Sequence, residues 1–537
     1  MTEHRQILRS ASVVTAVTLV SRICGYLRDQ RITLLLGTSV AADSFILAFR
    51  IPNLLRRLVG EGSLSASFIP VFAGYLKTQD EKAIWQFANR VFWTLALLAG
   101  ILAILGMIFS SQLIRIFTIF GYSHGQWALA VYLNRIIFPY IFFVSLAALA
   151  IGILNSFHVF ALPAAMPILF NLSVILFSVS AVYQPIMKWA PEAYRTPAVA
   201  LAAGILVGGA LQFLAQVPAL VRRGMHFDFG ISFKDPGVRQ VGRLMGPGFF
   251  GIGIYQINFF VDTIFATASR MPRGSVTSLY VAERVMELVL GSYAIAMSTV
   301  ILPMMSHQAA GQKYDEMKKT FTFSLRLVSF ITIPAAVGLV LLRTPIIQVL
   351  FQHGKFVAES TSLAARALLY YGLGLPAFAG VKMVVPLFYS AQDTRTPVQV
   401  AGLVLLINIV LNAVFLWIFF RAFYNGSPAL ATSAAAYVNF FALLWIFRRR
   451  FGRLGFKKVM ASLGRVVAAS TAMGFACAAF LRYVHFSSYP HLLPRIGLLT
   501  VVILGAVALY LGLAWLFRCE ELGELQKVWR RPEGAAA

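Results

Sequence analysis

The sequence consists mainly of long apolar stretches separated by short segments rich in charged residues, proline and glycine. A helix needs about 20 apolar residues to cross a bilayer, and many stretches reach this length. Of the 537 residues, 59% are hydrophobic and 12% are charged, about half the charged share of a soluble domain. We therefore predict an all-α integral membrane protein with about fourteen transmembrane helices. The predicted spans are residues 8–36, 40–58, 86–114, 128–154, 162–182, 197–221, 240–267, 279–302, 321–342, 364–390, 397–420, 429–447, 461–481 and 495–517.

The formal net charge of +26 would indicate nucleic acid as the partner of a polar protein. Here the basic residues are dispersed among apolar runs, so we expect no nucleic-acid partner. The loops predicted to be cytoplasmic carry the excess of Lys and Arg, and loop 448–465 alone carries seven. The positive-inside rule then places both termini in the cytoplasm. Binding of anionic membrane lipids is the alternative role of that loop.

The sequence repeats itself after about 234 residues, because motifs of the first half recur in the same order in the second. The paired residues and their offsets are Pro70 and Pro303 (233), Arg90 and Arg326 (236), Ser156 and Ser390 (234), and Pro163 and Pro397 (234). An even number of predicted spans separates the copies, so both copies have the same orientation. Parallel repeats with a site at their interface are typical of transporters.

The repeat predicts four segments with different roles. Residues 1–225 form the N-lobe with spans 1–6, and residues 226–450 form the C-lobe with spans 7–12. Residues 451–517 add spans 13 and 14 outside the repeat, and residues 518–537 are a cytoplasmic tail. We expect this tail to be an exposed amphipathic or disordered end. The amphipathic stretch 61–78 is predicted to be an interfacial helix or an extension of the second span.

Charged residues inside the apolar spans are the strongest functional signal. Each costs roughly 2.5–3.5 kcal/mol on insertion scales, so such residues usually face a cavity or a partner. In span 1, Arg22 and Asp29 share a helical face, while Arg28 points about 120° away. Either the helix is distorted near Gly25 or a wide cavity collects both arginines. A structural ion pair with Asp29 is the alternative.

Two other spans carry similar charges. Span 2 contains Asp43 and ends in Arg56 and Arg57, for which an interfacial snorkelling pair is the alternative interpretation. In span 8, Arg284 and Glu287 are three residues apart and can pair on one face, as a structural salt bridge or as a gate that exchanges partners. The excess of arginine over acid in the first half favours an anionic substrate, since the guanidinium group matches phosphate oxygens.

A separate polar set in the spans consists of oxygen-bearing side chains. Such ligands suit a hard cation such as sodium. The alternative is that the asparagines hydrogen-bond between helices, as they commonly do in membranes. The members of the set are Asp262, Asn408, Asn412 and Thr432.

Signals of catalysis are weak. The sequence contains no HExxH, GxSxG or Walker motif, and its three cysteines have no metal-binding or redox spacing. We therefore expect a protein that is not an enzyme and has no bound metal other than a possible sodium ion. An integral glycosyltransferase would need a clustered acidic base and an external domain, and the sequence indicates neither.

Five motifs follow one another in order along the chain. They are Ser21-Arg22-x-x-Gly25-x-x-Arg28-Asp29; Pro52-Asn53-Leu54-Leu55-Arg56-Arg57-x-x-x-Glu61-Gly62; Glu283-Arg284-x-Met286-Glu287; Phe351-Gln352-x-Gly354-Lys355-Phe356; and Phe388-Tyr389-Ser390-Ala391-Gln392-Asp393-Thr394-Arg395-Thr396-Pro397. This set resembles the MurJ (MviN) lipid II flippases of the multidrug/oligosaccharidyl-lipid/polysaccharide exporter superfamily, over about residues 8–517. The resemblance implies two six-helix lobes in a V, with spans 13 and 14 (residues 451–517) as two extra helices that form a lipid-facing groove for the lipid tail.

The resemblance also implies a function. Such a protein moves lipid II, the undecaprenyl-pyrophosphate-linked peptidoglycan precursor, to the outer leaflet of a bacterial cytoplasmic membrane by alternating access. No cofactor is implied, although a sodium ion or the membrane potential would drive transport, and membrane lipids and cell-wall synthesis proteins are the further expected partners. The implied substrate-binding residues are Arg22, Arg28, Asp43, Asn53, Arg56, Glu61, Arg284 and Glu287, and the implied sodium ligands in some members are Asp262, Asn408, Asn412 and Thr432.

Three other functions compete with this prediction. The nearest are a flippase for another polyprenyl-linked oligosaccharide and an ion-coupled drug antiporter of the same fold. A drug antiporter should place carboxylates where its cationic substrate binds, and the arginines of the first half disfavour it. A scaffold or receptor that organises cell-wall enzymes would need no charged residues inside its spans.

Overall fold

The computed structural model describes residues 3–58, 64–121, 124–452, 456–484, 486, 489 and 491–524. The fold is 85% helical, and the described part of the chain contains no strand. The helices are α1 (Glu3–Leu36), α2 (Val40–Leu58), α3 (Leu64–Thr78), α4 (Glu81–Ile108), α5 (Ser110–Phe117), α6 (His124–Ile137), α7 (Tyr140–Ser156), α8 (Ala161–Leu176), α9 (Ser180–Trp189), α10 (Pro197–Leu214), α11 (Val217–Val221), α12 (Pro236–Ala266), α13 (Ser275–Ala310), α14 (Tyr314–Leu341), α15 (Arg343–Phe351), α16 (Ala358–Ser390), α17 (Arg395–Trp417), α18 (Phe420–Phe423), α19 (Ser427–Phe451), α20 (Phe456–Tyr483) and α21 (Leu492–Leu516).

The chain is a multi-pass membrane protein, as predicted. Within the described residues, nine helical segments are long and apolar enough to cross a membrane, and α8 with α9, bent by 72°, makes a tenth. Each of the fourteen predicted stretches overlaps a helix, but the number fourteen is not confirmed for spans. One reason is visible in α1 and α2, whose charged residues lower their apolar character. The predicted stretch 61–78 contains a separate helix, α3.

The predicted internal repeat is confirmed by the helix boundaries. Helices α4 and α14 have the same length, 28 residues, and they begin at Glu81 and Tyr314. The short helices that follow, α5 and α15, begin at Ser110 and Arg343, so they are separated by the same offset as α4 and α14. Helices α8 and α17 begin at Ala161 and Arg395, with nearly the same offset. The two halves therefore share one order of helices.

Packing divides the chain into two compact units whose boundary differs from that of the repeat. The first unit contains Met1–Val276 and His353–Phe356, and the second contains Thr277–Gln352 and Val357–Ala537. Helix α12 belongs to the first unit, where the Phe260 ring lies 4.6 Å from that of Phe117 on α5. Because α12 packs with the first half, the compact units do not coincide with the predicted lobes, residues 1–225 and 226–450. These lobes stay a prediction that rests on the sequence repeat.

The first unit is organised around two pairings of helices. Helix α1 packs along α8, and α2 packs along α6. A buried aromatic cluster fixes α3 on α4, with the rings of Phe68 and Phe72 stacked against Phe87 at 6.0 and 6.4 Å. Helix α2 is itself part of the core, where Leu47 and Ile51 are buried.

In the second unit, α16 packs against α14 and α19, and α20 packs along α14. The turn after α21 corrects one prediction. Residues from 518 onward were expected to form an exposed or disordered end, but Cys519 and Glu521 are buried, with 5% and 2% exposed. The expectation failed for this part because the acids at 520 and 521 have a basic partner on α14, Arg326, that is distant in sequence.

Candidate functional site

Arg28 on α1 is held by two side chains of its own unit. Its Nε and one terminal nitrogen donate to Oδ1 of Asp29 at 3.0 and 2.7 Å, and the other terminal nitrogen donates to Oδ1 of Asn171 on α8 at 3.0 Å. The guanidinium also lies 5.6 Å from the centroid of the Phe170 ring. Helix α1 continues through Gly25 without a break. Arg28 and Asp29 thus form an ion pair, which fixes the position of the guanidinium on α1.

Arg22 has a different environment from Arg28 on the same helix. Its side chain is exposed, whereas Arg28 is half-buried and Asp29 is buried. The backbone oxygen of Ser21 accepts a hydrogen bond from Nδ2 of Asn171, 3.2 Å away. Asn171 therefore contacts α1 at two separate positions and fixes the rotation of α1 on α8. Arg22 is the more accessible of the two predicted arginines.

The predicted residues of α2 fall into two groups. Asn53 and Arg56 are half-buried, and Nε of Arg56 donates to Oδ1 of Asn53 at 3.1 Å. Asp43 is buried at the other end of α2, and its Oδ2 accepts a hydrogen bond from the backbone nitrogen of Gly274 at 2.8 Å. Glu61 lies outside the described residues. Asp43 thus binds the turn that precedes α13, a contact that the sequence did not predict.

On α13, Arg284 and Glu287 form the ion pair that their spacing predicted. The distance from the Arg284 nitrogen to Oε2 of Glu287 is 2.7 Å, and their side chains are 24% and 32% exposed. The guanidinium also lies 4.9 Å from the centroid of the Tyr280 ring. The carboxylate and the ring thus fix the position of a guanidinium that is partly exposed.

The predicted cation ligands are divided between the two units. Asp262 is buried on α12 in the first unit, and the other three residues belong to the second. Nδ2 of Asn408 donates to the Thr432 hydroxyl at 2.9 Å, and Nδ2 of Asn412 donates to Oδ1 of Asn408 at 3.1 Å. The bond from Asn408 to Thr432 joins α17 to α19, as the interhelical alternative predicts, whereas the bond from Asn412 to Asn408 lies within α17.

The chain has been compared with known proteins. A family model described as lipid II flippase MurJ matches residues 32–498. The chain belongs to this family. The probable lipid II flippase MurJ of Vibrio cholerae is 36% identical over 455 residues, which cover 83% of each chain. The lipid II flippase MurJ of Burkholderia cenocepacia is 32% identical over 520 residues, which cover 95% of this chain and 97% of its own.

Solved structures agree with membership of the MurJ family. A lipid II flippase MurJ in an inward closed conformation superposes with a TM-score of 0.75 at 26% identity, covering 94% of this chain and 98% of its own. An inward-facing MATE multidrug transporter of the MOP superfamily superposes with a TM-score of 0.67, covering 83% of this chain and 98% of its own. At 14% identity, this second likeness shows the fold alone.

Close backbone contacts join distant segments of this MurJ-family chain in its first unit, and the sequence did not predict their partners. The backbone nitrogen of Lys355 donates to the oxygen of Leu34 at 2.9 Å. Gly37 and Gly354 have φ of +60° and +58°, and a Cβ at Gly37 would overlap the carbonyl oxygen of Lys355. Gly354 and Lys355 belong to the fourth motif of the resemblance, so that motif serves to dock segment 353–356 on the α1–α2 turn.

An apolar cavity of about 430 Å³ lies beside α2 in the first unit. Every residue that lines it is apolar, including Leu54 and Leu55 of the second motif and Phe138, Phe109 and Phe260. A pyrophosphate group needs charged or hydrogen-bonding partners, so this cavity cannot be the headgroup site. Arg56 and Arg57 of the same motif directly follow the lining residues Leu54 and Leu55 in the sequence.

The last motif, 388–397, forms a hydrogen-bonded turn between α16 and α17. Asp393 accepts hydrogen bonds from the backbone nitrogen and the hydroxyl of Thr396, at 2.9 and 2.6 Å, and from Arg450 at the end of α19. Burial alone would raise the pKa of Asp393, but these hydrogen bonds and the nearby positive charge hold it below its ordinary value. Asp393 therefore favours its ionised form and ties α19 to this turn.

Asp393→Asn is expected to lower the free energy of unfolding by about 1–2 kcal/mol at neutral pH. The substitution removes the negative charge that accepts hydrogen bonds from Thr396, at the start of α17, and from Arg450. The folded-state pKa is lowered, so the stabilisation exists above the ordinary carboxyl pKa and is lost as the pH falls through the folded value. Thermal unfolding in detergent at several pH values measures this. Asp315→Asn is the matched control, since Asp315 pairs with Lys318 while 90% exposed. An equal loss in both variants would contradict the assignment.

Proposed function

We propose that this protein flips lipid II from the cytoplasmic to the outer leaflet of a bacterial inner membrane. The observation that carries the proposal is the match to the MurJ family over residues 32–498, with relatives that align over most of both chains. The arginines inside otherwise apolar helices support it, because an anionic headgroup gives them a reason to be there. We infer that the protein is a transporter and not an enzyme.

The proposed headgroup residues lie on three helices. Arg22 and Arg28 on α1, Arg56 on α2 and Arg284 on α13 would bind the pyrophosphate through charge-assisted hydrogen bonds. Release in the outer leaflet requires that the anion be bound more weakly in the outward-open state. The Arg284–Glu287 pair supports such a change, because its carboxylate competes with the substrate for the same guanidinium.

We propose that Asp43 and Asn53 act on the substrate indirectly. Asp43 holds the turn before α13 through Gly274, and Asn53 orients the guanidinium of Arg56. Glu61 is proposed as a further functional acid on the strength of the resemblance alone. In this arrangement the arginines bind the anion, while these polar side chains set where the arginines lie.

Transport is proposed to be coupled to a sodium gradient or to the membrane potential. For sodium, the candidate ligands remain Asp262, Asn408, Asn412 and Thr432, and both termini are proposed to be cytoplasmic. Proteoliposomes with sodium replaced by potassium, with and without an imposed potential, separate the two sources of energy. If sodium drives transport, its replacement stops flipping and Asn408→Ala does the same; if the potential drives it, only the imposed voltage matters.

Complementation tests the proposed function in cells. A bacterial strain depleted of its own lipid II flippase should grow when it expresses this protein. Arg284→Ala should fail to support growth at equal protein level. If the strain fails to grow even with the unaltered protein, the proposal is contradicted. A flippase for another polyprenyl-linked oligosaccharide or a drug antiporter would then be favoured.

A further inference from the structure

The segment that follows α21 folds back onto the helices of its own unit. Arg518 has φ of +52°, a left-handed conformation that reverses the chain direction. The backbone nitrogen of Cys519 donates to the oxygen of Ala514 at 2.9 Å, and that of Leu522 donates to Cys519 at 3.3 Å. This turn directs Glu520 and Glu521 toward α14 and α20. It lies beyond residues 32–498, which the family model matches.

One arginine binds both acids of this segment. Nε of Arg326 on α14 donates to Oε1 of Glu521 at 2.6 Å, and a terminal nitrogen donates to Oε2 of Glu520 at 2.7 Å. The Ser462 hydroxyl of α20 donates to the same oxygen of Glu521 at 2.7 Å. Glu521 is 2% exposed, and a buried carboxylate is tolerated only with such partners. The segment is therefore fixed on α14 and α20.

Further contacts support this arrangement. A terminal nitrogen of Arg465 on α20 donates to the backbone oxygen of Arg518 at 3.0 Å. The hydrogen bond from Arg326 and its positive charge lower the pKa of Glu520, so this acid stays ionised. Cys519 packs with Met473 and Cys477 of α20 in one apolar cluster. Charge and packing thus hold the segment together.

Helix α21 needs this attachment because it is packed less than the other spans. In its most apolar window only 17% of the residues are buried, the lowest fraction among the nine spans of the described chain. Its exposed side chains include Val501, Leu504 and Trp515, which are apolar and at least 63% exposed. At the end nearest the turn, Tyr510 donates a hydrogen bond to the backbone oxygen of Phe330 on α14 at 2.7 Å. The turn adds the ionic contact at that same end.

The first half of the chain uses a similar device. Arg90 on α4 pairs with Asp235 at 2.6 Å, and the linker that ends at Asp235 also accepts a hydrogen bond from Trp93 through Phe227, at 3.2 Å. When α4 and α14 are aligned from their first residues, Arg326 corresponds to Trp93 and not to Arg90, with which the sequence motifs paired it; Trp93 lies about one turn from Arg90 on the same face. Corresponding faces of α4 and α14 thus each anchor a segment that lies far along the chain.

We propose that Arg326, Glu520 and Glu521 form a clasp that fixes the end of α21 on α14 and α20. The resemblance implies that α20 and α21 line a groove for the lipid tail, so the clasp positions the helices that would hold the long isoprenoid tail of the substrate. The inference rests on the proposed function and deepens it. The exposed apolar face of α21 suits a hydrocarbon chain, while the proposed headgroup arginines lie on α1, α2 and α13. Loss of the clasp therefore affects tail binding without changing the residues that bind the headgroup.

The test compares two substrates in proteoliposomes: lipid II with its full undecaprenyl tail and an analogue with a short isoprenoid tail. Arg326→Gln is expected to slow flipping of the long-tailed substrate roughly tenfold, while the short-tailed analogue changes less than about twofold. The double variant Arg326→Gln with Glu521→Gln should recover most of the rate, because no unpaired charge stays buried. Arg90→Gln, which breaks the pair of the first half, should show no dependence on tail length.

Thiol labelling shows directly whether the clasp has opened. In a Cys24→Ser background the two remaining thiols, Cys477 and Cys519, are both buried. Arg326→Gln should increase maleimide labelling of Cys519 and leave Cys477 protected, whereas unfolding would expose both. Unchanged labelling of Cys519, or equal slowing of both substrates, overturns the clasp. If the unaltered protein flips neither substrate, the proposed function fails, and the labelling result still decides whether the clasp exists.

Discussion

Arg284→Ala is expected to slow lipid II flipping about 30- to 100-fold in proteoliposomes, which corresponds to about 2–3 kcal/mol for a charge-assisted contact. The guanidinium is partly exposed on α13 and is held by Glu287 and by the Tyr280 ring. Its removal takes away a pyrophosphate donor and leaves Glu287 as a repulsive charge beside the substrate. Glu287→Gln should have a smaller effect, because the arginine remains.

Arg366→Ala is the matched control for this prediction. Arg366 lies on α16 in the same unit, and its guanidinium is 4.9 Å from the centroid of the Tyr424 ring, the distance found for Arg284 and Tyr280. It belongs to none of the proposed site residues. Flipping should change less than about twofold in this variant. Equal losses in both variants would mean that arginine–aromatic packing, and not the headgroup, explains the effect at Arg284.

Gly37→Ala is expected to lower the free energy of unfolding by at least about 2 kcal/mol. Gly37 has φ of +60°, and an added Cβ would overlap the backbone oxygen of Lys355, so both the turn and segment 353–356 must shift. Thermal unfolding in detergent measures the change. The cost is backbone strain, so it should persist in high salt.

Gly402→Ala provides the opposite expectation. Gly402 lies in α17, and an added Cβ would meet no other atom within 4 Å. Alanine in a helix interior should then stabilise the protein by about 0.5–1 kcal/mol. A Gly37→Ala variant as stable as Gly402→Ala would contradict the docking of segment 353–356 on the α1–α2 turn.

Features that depend on local spacing were predictable from the sequence. The Arg284–Glu287 pair follows from a three-residue separation on a helix, and it is present. The repeat was predictable because its motifs recur at a nearly constant offset, which reflects helices of equal length in both halves. Helical periodicity was less informative for Arg28. The side chains of Arg28 and Asp29 leave the helix in directions about 100° apart. The long side chain of Arg28 nevertheless bends back to reach the neighbouring carboxylate.

Contacts between distant segments could not be predicted in this way. Asp43 and Gly274 are separated by 231 residues, and nothing in either local sequence indicates the other. The burial of Glu521 was predicted wrongly, because two adjacent acids after the last apolar run are normally exposed. The positions of Arg326 on α14 and Ser462 on α20 explain it. The sequence therefore predicts which charged residues belong to the candidate site, whereas the structure is needed to identify the residues that contact them.

Reconstitution of the purified protein tests the central claim most directly. Proteoliposomes loaded with lipid II in both leaflets should show protein-dependent movement of the lipid between leaflets, measured by the accessibility of the headgroup to an external modifying reagent. We predict movement with the unaltered protein and with Arg366→Ala, and strongly reduced movement with Arg28→Ala and Arg284→Ala. Rates equal to those of protein-free liposomes for the unaltered protein, or full rates for both site variants, would contradict the account.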